Sequence, residues 1–306
     1  MSGTLIAVTA QAMARILVLD PEDDWADPAA VRWSWTPDPA AEFSGGETPG
    51  GAAEPQPAWH CLDDVRLRRD AHTGQAYVLA CASGGLLAQV RYPQGGMPVW
   101  AAELGHAPNP HGIELLPDGN IAAAASHGNW VRVYVTDGRA MSPTFVQAPL
   151  AGAHQVLWDE KLQVLWALGG GRLVKYHVGG SRRQPSLHRL AAFRLPTRGG
   201  HDLQPDPLHP DRLWVTTVYG VHQFVKSAGR FTAEYPRRRR LYAMHIKSIG
   251  TDPVSGTVLQ TTPARDDPTG WRTDRVDLFP LAGKQIRKVL PGSGIYRARW
   301  FDPRAN

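Results

Sequence analysis

The sequence predicts an all-β protein, a six-bladed β-propeller with four antiparallel strands in each blade. Three observations predict it: a polar residue opens a short apolar strand at six points, the strands between those points come in groups, and the two chain ends complement each other. The spacings between the six points are 48, 43, 47, 44 and 51 residues, and the residues are Asp63, His111, His154, His201, His245 and Tyr296. A repeat of this length is typical of propeller blades.

The length allows one large all-β domain or two smaller ones, and the propeller interpretation makes residues 1–306 a single domain. Hydrophobic residues make up 42% and charged residues 20%, and two cysteines exclude a disulfide-rich scaffold. The net charge of +5 favours anionic ligands without requiring nucleic acid. The first residues carry no signal-peptide pattern, and no apolar run reaches the ~20 residues of a membrane span. We therefore expect a soluble cytoplasmic monomer with no membrane partner, or a secreted one if a signal peptide has been removed.

Strand patterns bounded by turn residues follow each opening strand. No segment keeps a 3.6-residue apolar period over ten residues, which argues against helices. The predicted later strands of the first five blades are 76–82, 86–92 and 99–104; 120–125, 130–135 and 144–148; 162–168, 172–178 and 188–195; 212–218, 220–225 and 230–233; and 257–262, 275–279 and 285–290.

The sixth blade is predicted to be split between the chain ends. The strand at Tyr296 is followed almost at once by the carboxyl terminus, and the amino terminus offers three strands at 4–8, 15–20 and 31–35. Pairing 293–303 with 1–36 completes the blade and removes exposed sheet edges. An open β-sandwich explains neither the period nor the ends. Residues 37–58, rich in Gly, Pro, Ala and Glu, are predicted to be a flexible loop.

The first strand of every propeller blade lines the central channel, so the strand-opening residues should meet at one channel mouth. Such a concave place is a usual ligand site. Imidazoles from neighbouring blades suit Zn, Mn, Ni or Fe better than Ca. We therefore expect a divalent transition metal bound by histidines of neighbouring blades: His111, His154 and His201, or His154, His201 and His245. The alternative is that each histidine only ties its strand to neighbouring backbone.

Further polar residues are predicted at the same mouth. Tyr296 or His245 would act as general base or acid, and Arg297 and Arg66 would orient a substrate carboxylate. The expected substrate-binding residues are Asp63, Glu114, His127, Gln155, Tyr219 and Lys247.

The segments Pro110-His-Gly-Ile-Glu-Leu-Leu-Pro-Asp-Gly-Asn120 and Gly200-His-Asp-Leu-Gln-Pro205 resemble an uncharacterised family of bacterial propeller proteins over nearly the whole chain. The recurring histidines more distantly resemble those of oligogalacturonate lyases. That resemblance implies a histidine-bound metal that neutralises a uronate carboxylate while a basic side chain removes the α-proton. Blade count and missing lyase motifs set this chain apart from those enzymes.

Two classes of function follow. The first is a metal-assisted lyase for an acidic carbohydrate or another small anionic substrate, with a hydrolase or lactonase as its variant. The second is a non-catalytic module that binds a glycan or protein partner, which the 11 tryptophans would support if several are exposed. A nucleic-acid partner is not expected, because no basic stripe interleaved with aromatic residues is present.

Overall fold

The chain folds as the six-bladed β-propeller that the sequence predicts. The computed structural model describes residues 3–37, 58–136 and 144–303, so almost all of the loop predicted at 37–58 lies outside the described residues. The described residues form six four-stranded antiparallel sheets. In five of the sheets the strands follow chain order from the channel outward. In the sixth, the last strand of the chain lies innermost and the first three strands follow it.

The first three strands belong to the blade that closes the circle, blade 6. They are β1 (Leu5–Ala10), β2 (Arg15–Leu19) and β3 (Val31–Trp35). Blade 1 follows with β4 (Leu62–Arg69), β5 (Ala76–Ala82), β6 (Leu86–Arg91) and β7 (Trp100–Glu103). Blade 2 has β8 (Pro110–Leu115), β9 (Ile121–Ala125), β10 (Trp130–Tyr134) and β11 (Phe145–Pro149).

Blade 3 contains the longest hairpin among the described residues, at its outer edge. Its strands are β12 (Gln155–Asp159), β13 (Val164–Leu168), β14 (Arg172–Ser181) and β15 (Gln184–Arg194). Blade 4 has β16 (Gly200–Pro205), β17 (Arg212–Thr217), β18 (Gly220–Val225) and β19 (Arg230–Thr232).

A single helical turn, α1 (Arg238–Leu241), connects blade 4 to blade 5. Blade 5 has β20 (Ser248–Thr251), β21 (Val258–Thr261), β22 (Arg275–Phe279) and β23 (Ile286–Val289). The last strand, β24 (Ile295–Phe301), returns to blade 6. Short 3-10 turns also occupy Gln11–Met13 and Pro28–Ala30.

The circle is closed by two kinds of contact. Strand β24 pairs antiparallel with β1, with Ile6 opposite Trp300 and Val8 opposite Ala298. The innermost strands β4, β8, β12, β16, β20 and β24 each contact the next, and β24 contacts β4. Residues 3–36 and 293–303 therefore form one blade, as the sequence predicts.

The hydrophobic core is divided among the six spaces between neighbouring blades. In β5, Val78 and Ala80 pack toward blade 6, whereas Leu79 and Cys81 pack toward blade 2. Successive side chains of a strand point to opposite faces, so a middle strand that is covered on both faces needs a continuous apolar sequence. This accounts for runs such as Ile121-Ala-Ala-Ala-Ala125, in which every residue is buried.

Cys61 and Cys81 are both free thiols. Within the described ranges, no helix combines the length and the hydropathy that crossing a bilayer requires.

Candidate functional site

The chain enters every innermost strand through the same backbone turn. In each blade a residue with a left-handed backbone angle stands two positions before the side chain that faces the channel. These residues and their φ angles are Cys61 (52°), Asn109 (56°), Gly152 (59°), Gly199 (77°), His245 (60°) and Gly294 (57°). Glycine and asparagine adopt this conformation most readily, and four of the six positions hold one of them.

This turn defines which six side chains meet at the upper mouth, the channel end at which the innermost strands begin. They are called the channel ring and are Asp63, His111, His154, His201, Lys247 and Tyr296. The hydrogen bonds agree with this assignment: His154 N donates to Leu168 O at the end of β13, and Lys247 N donates to Thr261 O at the end of β21.

The fifth member of the channel ring is therefore Lys247, and the sequence-based placement of His245 there is corrected. His245 is exposed and occupies the left-handed position itself, two residues before Lys247. The strand begins three residues later than expected, at Ser248, because the connection through α1 extends to this turn. With Lys247 in place, the last two ring spacings become 46 and 49 residues instead of 44 and 51.

The members of the channel ring contact one another in sequence around the axis. Asp63 Oδ1 lies 3.7 Å from His111 Nε2. The ring centroids of His111 and His154 are 4.5 Å apart, and those of His154 and His201 are 5.1 Å apart. Lys247 Nζ lies 3.3 Å from His201 Nε2 and 5.8 Å from the centre of the ring of Tyr296.

The channel ring is tightly closed. The rings of His111 and Tyr296, from blades 2 and 6, approach to 6.1 Å. Asp63, His111, Lys247 and Tyr296 are buried, whereas His154 and His201 are half-buried. A ligand at this mouth would therefore meet the imidazoles of His154 and His201 first.

Backbone carbonyls orient two of the imidazoles. The Nδ1 atoms of His111 and His154 lie 3.1 and 2.9 Å from the carbonyl oxygens of Asn109 and Gly152, which occupy the left-handed positions. Since a carbonyl only accepts, each Nδ1 is the N–H donor and each Nε2 keeps its lone pair. The turn that starts the strand thus also sets the tautomer of the histidine that follows it.

Arg297 forms the floor under the channel ring. Its side chain is fully buried, and its guanidinium donates to the carbonyl oxygens of four ring residues: Asp63, His111, His201 and Lys247, at 2.6–3.2 Å. Four blades are thus tied to one guanidinium. Arg297 has a structural role in this arrangement, which differs from the substrate-orienting role expected from the sequence.

Below Arg297 the channel is filled by a buried network of charges. Arg66 donates to Asp64 at 3.1 Å, to Glu114 at 3.3 Å and to Gln155 at 2.6 Å. In the same layer Arg299 pairs with Asp64 at 2.9 Å and with Asp202 at 2.7 Å. Buried charges are stable only when they are paired and hydrogen-bonded in this way.

Three of the predicted site residues belong to this buried network. Arg66, Glu114 and Gln155 are buried and bonded to one another, so they lie beneath the channel ring and not at its open face. His127 and Tyr219 are exposed in the turns after β9 and β17, at the upper end of the molecule. The structure thus brings six of the predicted site residues together in the channel ring. It separates the others from the ring by depth or by exposure.

Burial changes the protonation of the channel ring. It lowers the pKa of His111 and His201 well below the usual value and the pKa of His154 to about 4. Neighbouring cations add to this effect, so all three imidazoles are neutral at pH 7.

Burial favours the neutral forms of Asp63 and Lys247, because it raises the pKa of an acid and lowers the pKa of an amine. Burial raises the pKa of Asp63 to about 7, against the hydrogen bond from Ser83. Burial lowers the pKa of Lys247 to about 8, and the positive charge of Arg297 acts in the same direction. Acid and base groups with such values near pH 7 are typical of sites that transfer protons.

The channel ring fits the predicted divalent metal poorly. Nε2 of His201 accepts from the Lys247 ammonium, and Arg297 lies directly below, so a further cation would meet two positive charges. Among residues 3–37, 58–136 and 144–303, no group of three His, Cys, Asp or Glu side chains has a metal-binding arrangement. The same charges favour an anion.

Comparison with protein families shows which family the chain belongs to. Its residues 69–303 match a family of unknown function, DUF6528, and the chain belongs to that family. The matched range contains five of the six channel-ring residues; Asp63 precedes it. No curated protein matches the chain.

Solved structures show likeness of fold. A protein of unknown function from Bacteroides caccae is 9% identical, with 97% of this chain and 98% of that chain covered and a TM-score of 0.57. A chain of a nidogen/laminin complex is 13% identical over 97% of both, with a TM-score of 0.57. Virginiamycin B lyase from Staphylococcus aureus is 13% identical over 95% of this chain and 85% of that chain, but its TM-score is only 0.48. The likeness to the first two structures supports the propeller fold, and none of the three supports a particular activity.

Proposed function

We propose that this protein is a lyase that acts on a small anionic substrate, such as an acidic carbohydrate, at the upper mouth. It would remove a proton from the carbon next to the substrate carboxylate and expel a group from the following carbon. The observation that carries the proposal is the charge arrangement of the channel ring. Three neutral imidazoles surround the buried cations Lys247 and Arg297, while the nearby Asp63 is only partly ionised at pH 7.

His154 is the proposed general base. Its Nδ1–H is fixed by Gly152 O, so its Nε2 lone pair points away from the backbone. It is half-buried, which makes it one of the two ring members open to a ligand. The low pKa suits an empty site, and a bound anion would raise it because opposite charge stabilises the imidazolium.

Lys247 and Asp63 have complementary roles in this proposal. The Lys247 ammonium would attract the carboxylate and stabilise the negative charge that develops after proton removal. Asp63, with its pKa of about 7, could protonate the leaving group. Tyr296 is a weaker candidate acid, because burial raises its pKa well above the usual value.

A panel of uronates and other β-substituted carboxylates tests the proposal, with the ultraviolet absorbance of the new double bond as readout. For a panel member that is turned over, His154→Gln should lower kcat/KM by roughly 100-fold or more, since the base is lost. The matched control is His188→Gln, on the exposed outer strand β15, which should react like the native protein. Equal rates for His154→Gln and native protein would rule out His154 as the base.

A binding module without chemistry is the second candidate. Exposed aromatic side chains support it: Tyr219 and Trp271 are 39% and 40% exposed, and both lie in connections of the upper end. Quenching of tryptophan fluorescence by a glycan or peptide that is never turned over would favour this function. The hydrolase or lactonase variant and the likeness to oligogalacturonate lyases stay predictions; lactones included in the panel test the former.

A further inference from the structure

We propose that Lys247 binds substrate covalently, by forming an imine with the carbonyl carbon of an aldehyde, a ketone or a 2-oxo acid held at the upper mouth. This rests in part on the proposed lyase and deepens it by naming the substrate class, a small anionic carbonyl compound. The argument depends on where the amine lies and on which groups surround it.

The direct contacts of the Lys247 amine are with uncharged groups. Nζ lies 3.3 Å from His201 Nε2 and 5.8 Å from the centre of the Tyr296 ring. In the described part of the chain, no carboxylate oxygen lies within 4.0 Å of Nζ. The guanidinium of Arg297 bonds the carbonyl oxygen of Lys247 itself, at 3.2 Å. A lysine that is desolvated beside another cation is the usual setting of an amine nucleophile.

Lys226 shows the contrasting arrangement in the same molecule. Its amine is also largely buried, but it lies 2.7 Å from Asp159 Oδ2 and forms an ion pair. A carboxylate partner stabilises the ammonium, which has no lone pair and cannot attack a carbonyl group. Lys226 is therefore an internal control for burial without activation. For Lys247, which lacks such a partner among the described residues, burial and the charge of Arg297 lower the pKa to about 8.

The proposed step is balanced without an oxidant or a reductant. The Nζ lone pair forms a bond to the carbonyl carbon, and the C–O π pair moves to oxygen, which takes a proton. The nitrogen loses a proton, the hydroxyl group is protonated and leaves as water, and the nitrogen lone pair forms the C=N bond of a protonated imine. The net change is amine plus carbonyl plus one proton to protonated imine plus water. Two kinds of group in the channel ring could exchange these protons. One is the carboxyl group of Asp63, which follows Tyr296 around the ring, and the other is the imidazoles of His111, His154 and His201.

An imine at Lys247 would also serve the proposed lyase. The protonated imine keeps the positive charge at the same place and accepts the electron pair that is released when the neighbouring C–H bond is broken. His154 lies on the other side of His201, within the same channel ring, as the base for that proton. The imine and the base are thus held by blades 5 and 3 around a common opening.

Reductive trapping tests the proposal. The full-length protein is treated with glyoxylate and cyanoborohydride at pH 8, and modified peptides are quantified by mass spectrometry. Lys247 should be labelled at least about tenfold faster than Lys226 or the exposed Lys161, because burial and Arg297 lower the pKa of the Lys247 amine to about 8. Labelling of Lys247 no faster than of Lys161 would overturn the proposal.

A pair of variants at His201 tests the cause. His201→Asp gives Lys247 a carboxylate partner like that of Lys226, and should slow its labelling about tenfold or more by stabilising the ammonium. His201→Gln places an uncharged partner there and should be labelled about tenfold or more faster than His201→Asp. Equal labelling of the two variants would refute the stated reason for activation.

The outcomes separate this inference from the proposed lyase. Labelling at Lys247 with no elimination from any panel member would support the imine and refute the lyase. Elimination from a carboxylate without specific labelling of Lys247 would support the lyase and refute the imine. Malonate, an anion without a reactive carbonyl group, should protect Lys247 from labelling if anions bind above the amine; unprotected labelling would contradict that placement.

Discussion

Asp63 and Asp64 are consecutive carboxylates with opposite environments. Asp63 belongs to the channel ring, where burial dominates and raises its pKa to about 7. Asp64 points to the layer below; burial there would also raise its pKa, but Arg299 and Arg66 hold it well below the usual value. One step along a strand turns a side chain to the opposite face, so neighbours in sequence titrate differently.

These two residues should affect stability with opposite dependence on pH. For Asp63 the folded state binds the proton more tightly, so its stabilising contribution is present below pH 3.8 and is lost as the pH rises toward about 7. Asp63→Asn should therefore gain free energy of unfolding relative to native protein as the pH rises from 4 to 8, by an amount on the order of a few kcal/mol. Urea unfolding across this range measures the difference.

Asp64→Asn is the matched control. Its carboxylate stabilises the folded state above pH 3.8, and that contribution is lost only on acidification. The variant should be strongly destabilised at pH 7 and approach native stability as the pH falls. The same pH trend in both variants would contradict the assigned environments.

Arg297 is the residue whose removal should disturb the channel ring most. Arg297→Met leaves the carbonyls of four blades without their donor and should lower the free energy of unfolding by about 3–5 kcal/mol, as for other broken buried charge networks. Arg32→Met removes an exposed pair with Asp23 and should cost less than about 1 kcal/mol. Thermal and urea unfolding compare the two; similar small losses would show that Arg297 does not tie the blades together.

At the scale of elements, the left-handed turn before each innermost strand does two things. It directs the next-but-one side chain into the channel, and in blades 2 and 3 its carbonyl fixes the imidazole. Blade 5 uses His245 at this turn, where glycine or asparagine would be less strained. The strand that follows still delivers Lys247 to the equivalent place.

His245 gives a direct test of this turn. His245→Val should lower the free energy of unfolding by about 1–2 kcal/mol, because a β-branched residue is poorly tolerated at φ of 60°. His245→Gly should be more stable than His245→Val by about 1–2 kcal/mol, since glycine adopts the angle freely. The neighbouring exposed residue supplies the control: Met244→Val should change stability little. Equal stabilities of the Val and Gly variants would show that the turn is not strained.

At the scale of the whole molecule, one strand joins the two chain ends and also supplies charges to the channel. Strand β24 pairs with β1, and it carries Arg297 and Arg299. Its loss would open the circle and leave Asp64 and Asp202 without Arg299, their partner at 2.7–2.9 Å. Closure and channel electrostatics are therefore coupled.

A chain that ends at residue 292 should fail to unfold cooperatively. Both the β24–β1 ladder and two buried guanidiniums are absent, so exposed edges and unpaired carboxylates remain. Circular dichroism melting and limited proteolysis would detect this, and adding a peptide of residues 293–303 should restore protection in part. A sharp transition at the native temperature would show that the other blades fold without closure.

The sequence predicted most strand positions because alternation, turn residues and the repeat length are local signals. Strands β3, β5, β18 and β22 begin and end where the sequence places them. The misplacement of His245 arose because histidine was matched to histidine across blades. The turn residues Asn109, Gly152, Gly199 and Gly294 have no glycine or asparagine counterpart before Lys247, so the sequence held no local signal for it; the backbone conformation repeats there although the residue type does not.

Sequence by itself determined the number of blades, their four-strand composition and the joining of the two ends, because each is written in short-range patterns that recur along the chain. Only the tertiary structure decided that Arg297 lies beneath the channel ring and that Lys247 lies beside His201. It also decided that Arg66 and Glu114 pair with each other in a buried network. Those facts depend on the depth and direction of side chains from six different blades around one axis. Charge pairing and desolvation at such depth are properties of the assembled channel, and no single repeat contains them.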